Sequence, residues 1–173
     1  IRSPLTKSYA TGMLRQCGGA IGSTLNRNLI TCGGNIVQCY FWSCLPVALL
    51  ALDAQVLVAR GRARRRLKAA AFFASQPKQA LAHDALVTDI LLPRLPTGTR
   101  AAFRKVAPTA TAFAYVTVAA LLRRRGRNIA EIRIALGGLT ALPQRCPKIE
   151  QEYAGQPATD AIFAELAAHL VEH

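Results

Sequence analysis

At 173 residues, 51% of them hydrophobic and 18% charged, the chain is long enough for one ordinary domain or two small ones and too apolar to be disordered. The 22 Lys and Arg against 9 Asp and Glu give a net charge of +13, which invites nucleic acid or an acidic protein surface as partner. The 5 cysteines form no C-x-x-C pair, which excludes a zinc or iron–sulfur signature within the chain and a secreted disulfide framework, and makes a reducing cytoplasm the default.

Ile1-Arg2-Ser3-Pro4 leads into polar sequence with no signal-peptide pattern. Met13, Leu14, Cys17, Ala20 and Ile21 then recur at spacings of three and four, predicting one helix over 7–21 that delivers the next segment. That segment, 21–35, combines Arg27, Asn28, Thr31, Gly33, Gly34 and Asn35. Adjacent glycines leave backbone N–H groups open to a ligand, while a hydroxyl, a carboxamide and a cation stand nearby, a set that suits a phosphate- or ring-bearing cofactor. Taken alone, a Gly-Gly turn is more often a plain loop between strands.

Residues 35–42, with Ile36, Val37, Tyr40, Phe41 and Trp42, favour an extended strand or a packed loop. Pro46 opens a buried helix over 47–52 that Asp53 ends. Residues 55–60 and 64–68 flank Gly61 as an antiparallel hairpin, Phe72 and Phe73 anchor the chain in a core, and 86–92 is a further strand. Two prolines and a glycine within 93–98 mark a domain junction, dividing the chain into 1–97 and 98–173. Beyond it, 114–122 and 129–136 form a second hairpin with a basic tip, Gly137-Gly138 turns the chain out of the sheet, and 144–153 and 159–171 are helical. The last of these places Ile162, Phe163, Leu166, Leu170 and Val171 on one face. The uncharged span 106–122, interrupted by Pro108, Thr109, Thr111 and Tyr115, is too short for a membrane helix and reads as buried strand.

Much of the positive charge lies in 60–68 and 123–127, where it reads as hairpin tips and solvated strand faces. With aromatics at 6% and none interleaved with the basic runs, stacking platforms for nucleic acid are absent from the pattern, which argues against such a partner. His83, His169 and His173 have no acidic or cysteine partners at catalytic spacing, so no hydrolytic triad or metal site is expected.

Residues 21–35 resemble the IGS-x-x-x-RN-x-x-T-x-GGN signature of the flavin subunits of molybdenum hydroxylases, the xanthine and carbon monoxide dehydrogenase family. The likeness continues through 45–54, with its Leu-Leu-Ala-Leu-Asp-Ala run, and through Phe72-Phe73, 86–93, 103–106 and 134–138, in order along the chain. The resemblance implies an α+β fold: the second subdomain of a PCMH-type FAD-binding domain, an antiparallel sheet with helices, followed by a small α+β C-terminal domain. The family's first subdomain, with its glycine-rich pyrophosphate loop, precedes the signature, and Ile1 falls after that point.

By the same resemblance, Thr31, Gly33, Gly34 and Asn35 match the cofactor loop and would hydrogen-bond the pyrophosphate, ribityl chain or ring of FAD. Val37 and Val87 match apolar positions near the isoalloxazine, Lys105 matches a lysine close to the flavin, and Asn28 is a loop-shaping residue. Cys44 stands where the family commonly has an aspartate on the flavin side, and an uncharged thiol does not replace a carboxylate's hydrogen bonding. Pro108-Thr109 replaces arginines often found there, which changes the family's control of flavin access.

The implied partners are a molybdopterin-binding large subunit holding the molybdenum cofactor and a small subunit holding 2Fe-2S clusters, with electrons passing through FAD to NAD or another acceptor. The alternatives are a basic nucleic-acid- or protein-binding module, and a degenerate flavin subunit kept as a structural bridge.

Overall fold

The computed structural model describes residues 4–172, which leaves His173 outside the description. The chain opens with α1 (Pro4–Ser8), a tight turn over Tyr9–Gly12 and α2 (Met13–Gly19). The single helix expected over 7–21 is broken, because Ala10 and Thr11 take φ of 50° and Gly12 takes 79°. The Thr11 hydroxyl donates to the Ala101 carbonyl at 2.5 Å and accepts from the Ala101 N–H at 2.7 Å, so a long-range tie replaces local helical bonds. The apolar face survives the break: Met13, Leu14 and Cys17 are all buried.

Two short helices follow, α3 (Thr24–Leu29) and α4 (Cys32–Gln38), and then α5 (Cys44–Ala51). The extended reading of 35–42 therefore fails over its first half. The Thr31 side chain caps the start of α4 by accepting from the Gly34 N–H at 3.0 Å, and this local cap outweighs the β-preference of Ile36 and Val37. Helix α4 ends at Cys39, whose φ is 43°. In α5 every residue is buried, which explains a run of apolar residues with no polar face.

Asp53, at φ 53°, leads out of the helix into β1 (Gln55–Arg60) and β2 (Ala63–Lys68), paired antiparallel around Gly61 as expected. Then come α6 (Ala69–Ala74), carrying the buried Phe72 and Phe73, α7 (Pro77–Ala80) and β3 (Ala85–Leu91), which completes a sheet of order β2-β1-β3. The second sheet, of order β4-β5-β6-β7, is antiparallel throughout: β4 (Arg100–Val106), β5 (Val116–Arg125), β6 (Asn128–Gly137) and β7 (Gln144–Arg145). Helices α8 (Pro147–Tyr153) and α9 (Asp160–Glu172) close the chain.

Three expectations are corrected here. Residues 107–115 form a loop in which Phe113 and Tyr115 are exposed, so 106–122 is not one buried strand. The predicted helix at 144 begins as a two-residue strand and turns helical only at Pro147, a residue suited to a first helical turn. Val171 is 88% exposed and so lies off the buried face of α9, whereas Leu166 packs into the core with Ile162, Phe163 and Leu170 against it.

The second sheet is covered on both faces. Phe103, Ala119, Leu121 and Ala135 join α2 and α5 in the main core, while Ile132 and Ile134 pack with Ile149, Tyr153 and Leu166 of α8 and α9. Strands covered on both sides lose the apolar–polar alternation, which is why β5 reads as a near-continuous apolar run as far as Leu122, while in β6 the Glu131–Arg133 ion pair interrupts the run. At Gly137 a β-carbon would collide with Val47 and Thr117, so the missing side chain lets α5 lie close on β6; Gly138 then turns the chain at φ 94°. The carboxylate of Glu150, almost buried, accepts from the Ile134 N–H at 2.8 Å and pairs with Arg145, fastening α8 to the sheet.

Candidate functional site

Residues 31–35 stand between two clefts. One, of about 650 Å³, lies between the two halves of the chain: α3, α4 and the Tyr40–Cys44 turn on one side, Lys105 and residues 111–114 on the other. Its aromatic wall is continuous. The Trp42 ring stacks on Tyr40 at 4.7 Å and meets Phe113 at 4.7 Å, with Phe41 edge-on at 4.6 Å. The second cleft, of about 560 Å³, is basic in character, with Lys7 and Arg15 across from Asn28, Thr31, Cys32 and Asn35. A volume of this order matches a site for an organic cofactor or part of one.

The glycines occupy the first turn of α4 rather than a loop between strands. A β-carbon on Gly33 would meet nothing within 4 Å, so no packing within the described residues requires glycine there. The Thr31 oxygen accepts from Gly34, leaving the hydroxyl proton free to be donated outward. The Asn35 Oδ1 is buried and, among the described residues, has no hydrogen-bond partner. A buried acceptor left unpaired is costly, and one beside two clefts is explained by a ligand that completes it.

Arg27 has a different task from the free cation its position suggested. Its guanidinium donates to the carbonyls of Gly19, Ile21 and Gly22 at 3.2, 3.1 and 2.6 Å and to the Thr24 hydroxyl at 2.9 Å, so it shapes the turn before α3. Val37 and Val87 pack against the main core, where α4 meets β3, and neither is among the residues lining the two clefts. Cys44 lines the larger cleft from the first turn of α5; burial raises its thiol to about 11, with Lys105 nearby working the other way, so it is neutral at ordinary pH. Lys105 reaches the same cleft, but its ammonium is engaged by the carbonyls of Ala20 at 2.9 Å and Ala110 at 3.1 Å.

Sequence patterns alone did not bring Phe113 to Trp42. The Tyr40-Phe41-Trp42 run was the visible half of that wall; the other half arrives from 71 residues further along the chain (113 − 42 = 71). His169 pairs with Glu152 at 3.4 Å, a partner that sequence spacing did not suggest. Among the described residues no group of His, Cys, Asp and Glu has the makings of a metal site, and no helix is long and apolar enough to cross a membrane.

Residues 4–95 match the family model for the FAD binding domain in molybdopterin dehydrogenase, and residues 101–173 match that for the CO dehydrogenase flavoprotein C-terminal domain. The chain belongs to this flavoprotein family. It is 30% identical over 150 residues to the glyceraldehyde dehydrogenase medium chain of Sulfolobus acidocaldarius, covering 87% of this chain and 53% of that one. It is also 30% identical over 155 residues to the nicotine 6-hydroxylase medium subunit of Paenarthrobacter nicotinovorans, covering 90% and 54%. The flavoprotein-family chain thus spans about half the length of the curated relatives it matches.

In fold, the flavoprotein chain superposes on a chain of the Hydrogenophaga pseudoflava carbon monoxide dehydrogenase that lacks the Mo-pyranopterin moiety, with a TM-score of 0.87 at 23% identity, over 96% of this chain and 57% of that one. A chain of quinoline 2-oxidoreductase from Pseudomonas putida 86 gives 0.84 at 20% identity, over 96% and 57%. These likenesses establish the α+β architecture of two antiparallel sheets with helices.

FAD, the group this family implies, fits the residues present. The unpaired Asn35 Oδ1, the open face at Gly33 and the aromatic cleft offer an acceptor, bare backbone and a flat apolar surface.

Proposed function

We propose that this chain is the FAD-binding, electron-transferring part of the medium subunit of a molybdenum hydroxylase, with FAD lying along residues 31–35. The observation that carries this reading is the bare first turn of α4, open in front of Gly33 and flanked by an unpaired Asn35 oxygen and an aromatic cleft. Thr31 would donate its hydroxyl proton, the Gly33 N–H would approach unhindered, and Asn35 would accept. Tyr40, Trp42 and Phe113 would give the ring system an apolar wall that excludes water. Bound FAD would supply the redox chemistry, and the protein would position it and set its surroundings.

The partners are a large subunit with the molybdenum cofactor and a small subunit with 2Fe-2S clusters, and the final acceptor is NAD or another oxidant. The two relatives named as a medium chain and a medium subunit support a multi-subunit setting. The exposed arginines of β2 suit an acidic docking surface. The division into a flavin part, 1–97, and a C-terminal part, 98–173, follows the change of sheet. The five free thiols suit a reducing cytoplasm.

The test is a flavin spectrum of the whole native subunit. A visible flavin band at one FAD per chain is the expected result; a colourless subunit that takes up no FAD on reconstitution overturns the reading.

A further inference from the structure

We propose that the cleft at the β5–β6 turn is an anion site that takes the phosphate chain of a polyphosphate ligand. It measures about 640 Å³, is walled chiefly by Arg123, Arg124, Arg125, Asn128, Ala130 and Gly155, and shares no lining residue with the two clefts beside α4. A volume of this order suits a small-molecule ligand. No carboxylate and no aromatic ring stand among the residues lining it. Planar guanidinium forks match phosphate oxygens two at a time, and without a ring to stack on, a base gains nothing there.

The charges at this cleft lack partners. A sheet ordinarily settles a charge by setting its opposite across the ladder. Arg123 follows that rule in facing Glu131, but it reaches the carboxylate only at 3.4 Å, while the Arg133 Nε donates to the same carboxylate at 2.8 Å. Arg124 and Arg125 face Ile129 and Asn128, which carry no charge. Among the described residues neither of these two exposed guanidiniums forms an ion pair. Three adjacent cations with one shared carboxylate repel one another, and an anion held among them removes that repulsion.

The backbone gives the cleft a fixed shape. Arg125 and Asn128 pair across a two-residue turn of Gly126, at φ 62°, and Arg127. The register slips between Arg123 and Arg124 and leaves Ala130 without a partner on β5. A bulge of this kind re-aims side chains, and the burial shows it: Ile129 faces inward with Ile132 and Ile134, out of step with their alternation. The connection between α8 and α9 makes the opposite wall. The Gly155 N–H donates to the Ile129 carbonyl at 2.7 Å, the Ile129 N–H to the Gln156 carbonyl at 2.8 Å, and the Ala158 N–H to the Arg127 carbonyl at 2.7 Å. A β-carbon on Gly155 would meet nothing within 4 Å, so that wall is bare backbone with open space in front of it.

The test is calorimetric titration of the whole native subunit, with FAD in excess, using sodium tripolyphosphate and, separately, ATP. Tripolyphosphate should bind at one site per chain, and the double substitution Arg124→Gln with Arg125→Gln should weaken it at least about tenfold. Arg64→Gln with Arg66→Gln, which removes the same charge from the exposed strand β2, should weaken it less than about twofold. Equal losses in the two variants, or no binding by the unsubstituted subunit, overturn the site, since charge alone then accounts for any attraction. Should the tip variant fail to fold, Arg125→Gln alone carries the same outcomes.

ATP that binds as tightly as tripolyphosphate, and is lost with the same arginines, supports a site that reads the phosphate chain alone; ATP that binds more tightly supports it with a nucleotide as the source. A single-stranded oligonucleotide that displaces tripolyphosphate and is weakened alike by both variants makes the tip part of a nucleic-acid surface and overturns the proposal. The flavin reading is not at stake: the arginine variants locate the signal whether or not FAD is bound.

Discussion

Helix α5 and the α3–α4 segment are neighbours in sequence and opposites in environment. All eight residues of α5 are buried, whereas α3 has no buried residue and α4 has one, Ile36. Leu25 and Leu29 of α3 are 77% and 85% exposed, although they are as apolar as anything in α5. The difference shows where the described fold leaves surface open: Leu29 and the unpaired Asn35 oxygen lie at the larger cleft, whereas every residue of α5 is buried.

That contrast can be broken most forcefully in the helix itself. Leu49→Ala should cost about 2–5 kcal/mol, the usual result of emptying a fully buried site, read as a lower urea midpoint at constant slope. Leu29→Ala should change the same midpoint by less than about 0.5 kcal/mol. An equal loss from the two would mean that α3 is covered after all.

Two glycines sharpen it next. Gly138, at φ 94°, would drive a β-carbon into the Tyr115 carbonyl, so Gly138→Ala should destabilise by roughly 1–3 kcal/mol. Gly33 is helical and open in front, so Gly33→Ala should instead stabilise the chain by about 0.4–1 kcal/mol while weakening FAD binding. Stability and affinity moving in opposite directions, by thermal melts and flavin titration, would separate a ligand-facing glycine from a folding one.

The smallest effect concerns pH. Burial works to raise the Glu131 carboxyl, but hydrogen bonds and charge from Arg133 and Arg123 outweigh it and hold the group below its ordinary value of 4.5. A carboxyl depressed in the folded state contributes stability that is present above its unfolded value and lost as pH falls through the folded one. Stability should therefore decline on acidification below about pH 4.5, and Glu131→Gln should flatten part of that decline by up to about 1 kcal/mol. A pH series of denaturant midpoints for both proteins checks it.

How far the molecule was legible before folding follows from the range of each interaction. Both hairpins, the buried α5, the two phenylalanines and the apolar face of α2 were readable, because turn residues and apolar periodicity act over a few positions. The order of the motif segments along the chain pointed to the flavoprotein family in the same way. The break at Ala10–Gly12 was hidden because its compensation, the pair of bonds between Thr11 and Ala101, spans 90 residues. The strand-or-packed-loop reading of 35–42 failed over its first half, where the helix α4 is started by a capping bond from Thr31, a single contact that propensity does not weigh.

The amino-acid order by itself settled which segments are apolar and where both hairpins turn, since these depend on neighbours a few residues apart, and the succession of motif segments along the chain pointed to its family. Only the folded arrangement decided that Arg27 and Lys105 serve backbone carbonyls, that Phe113 completes a wall begun at Tyr40, and that the Asn35 oxygen is left unpaired. Hydrogen bonds and ring contacts act only over a few ångströms, and packing alone brings positions tens of residues apart within that reach.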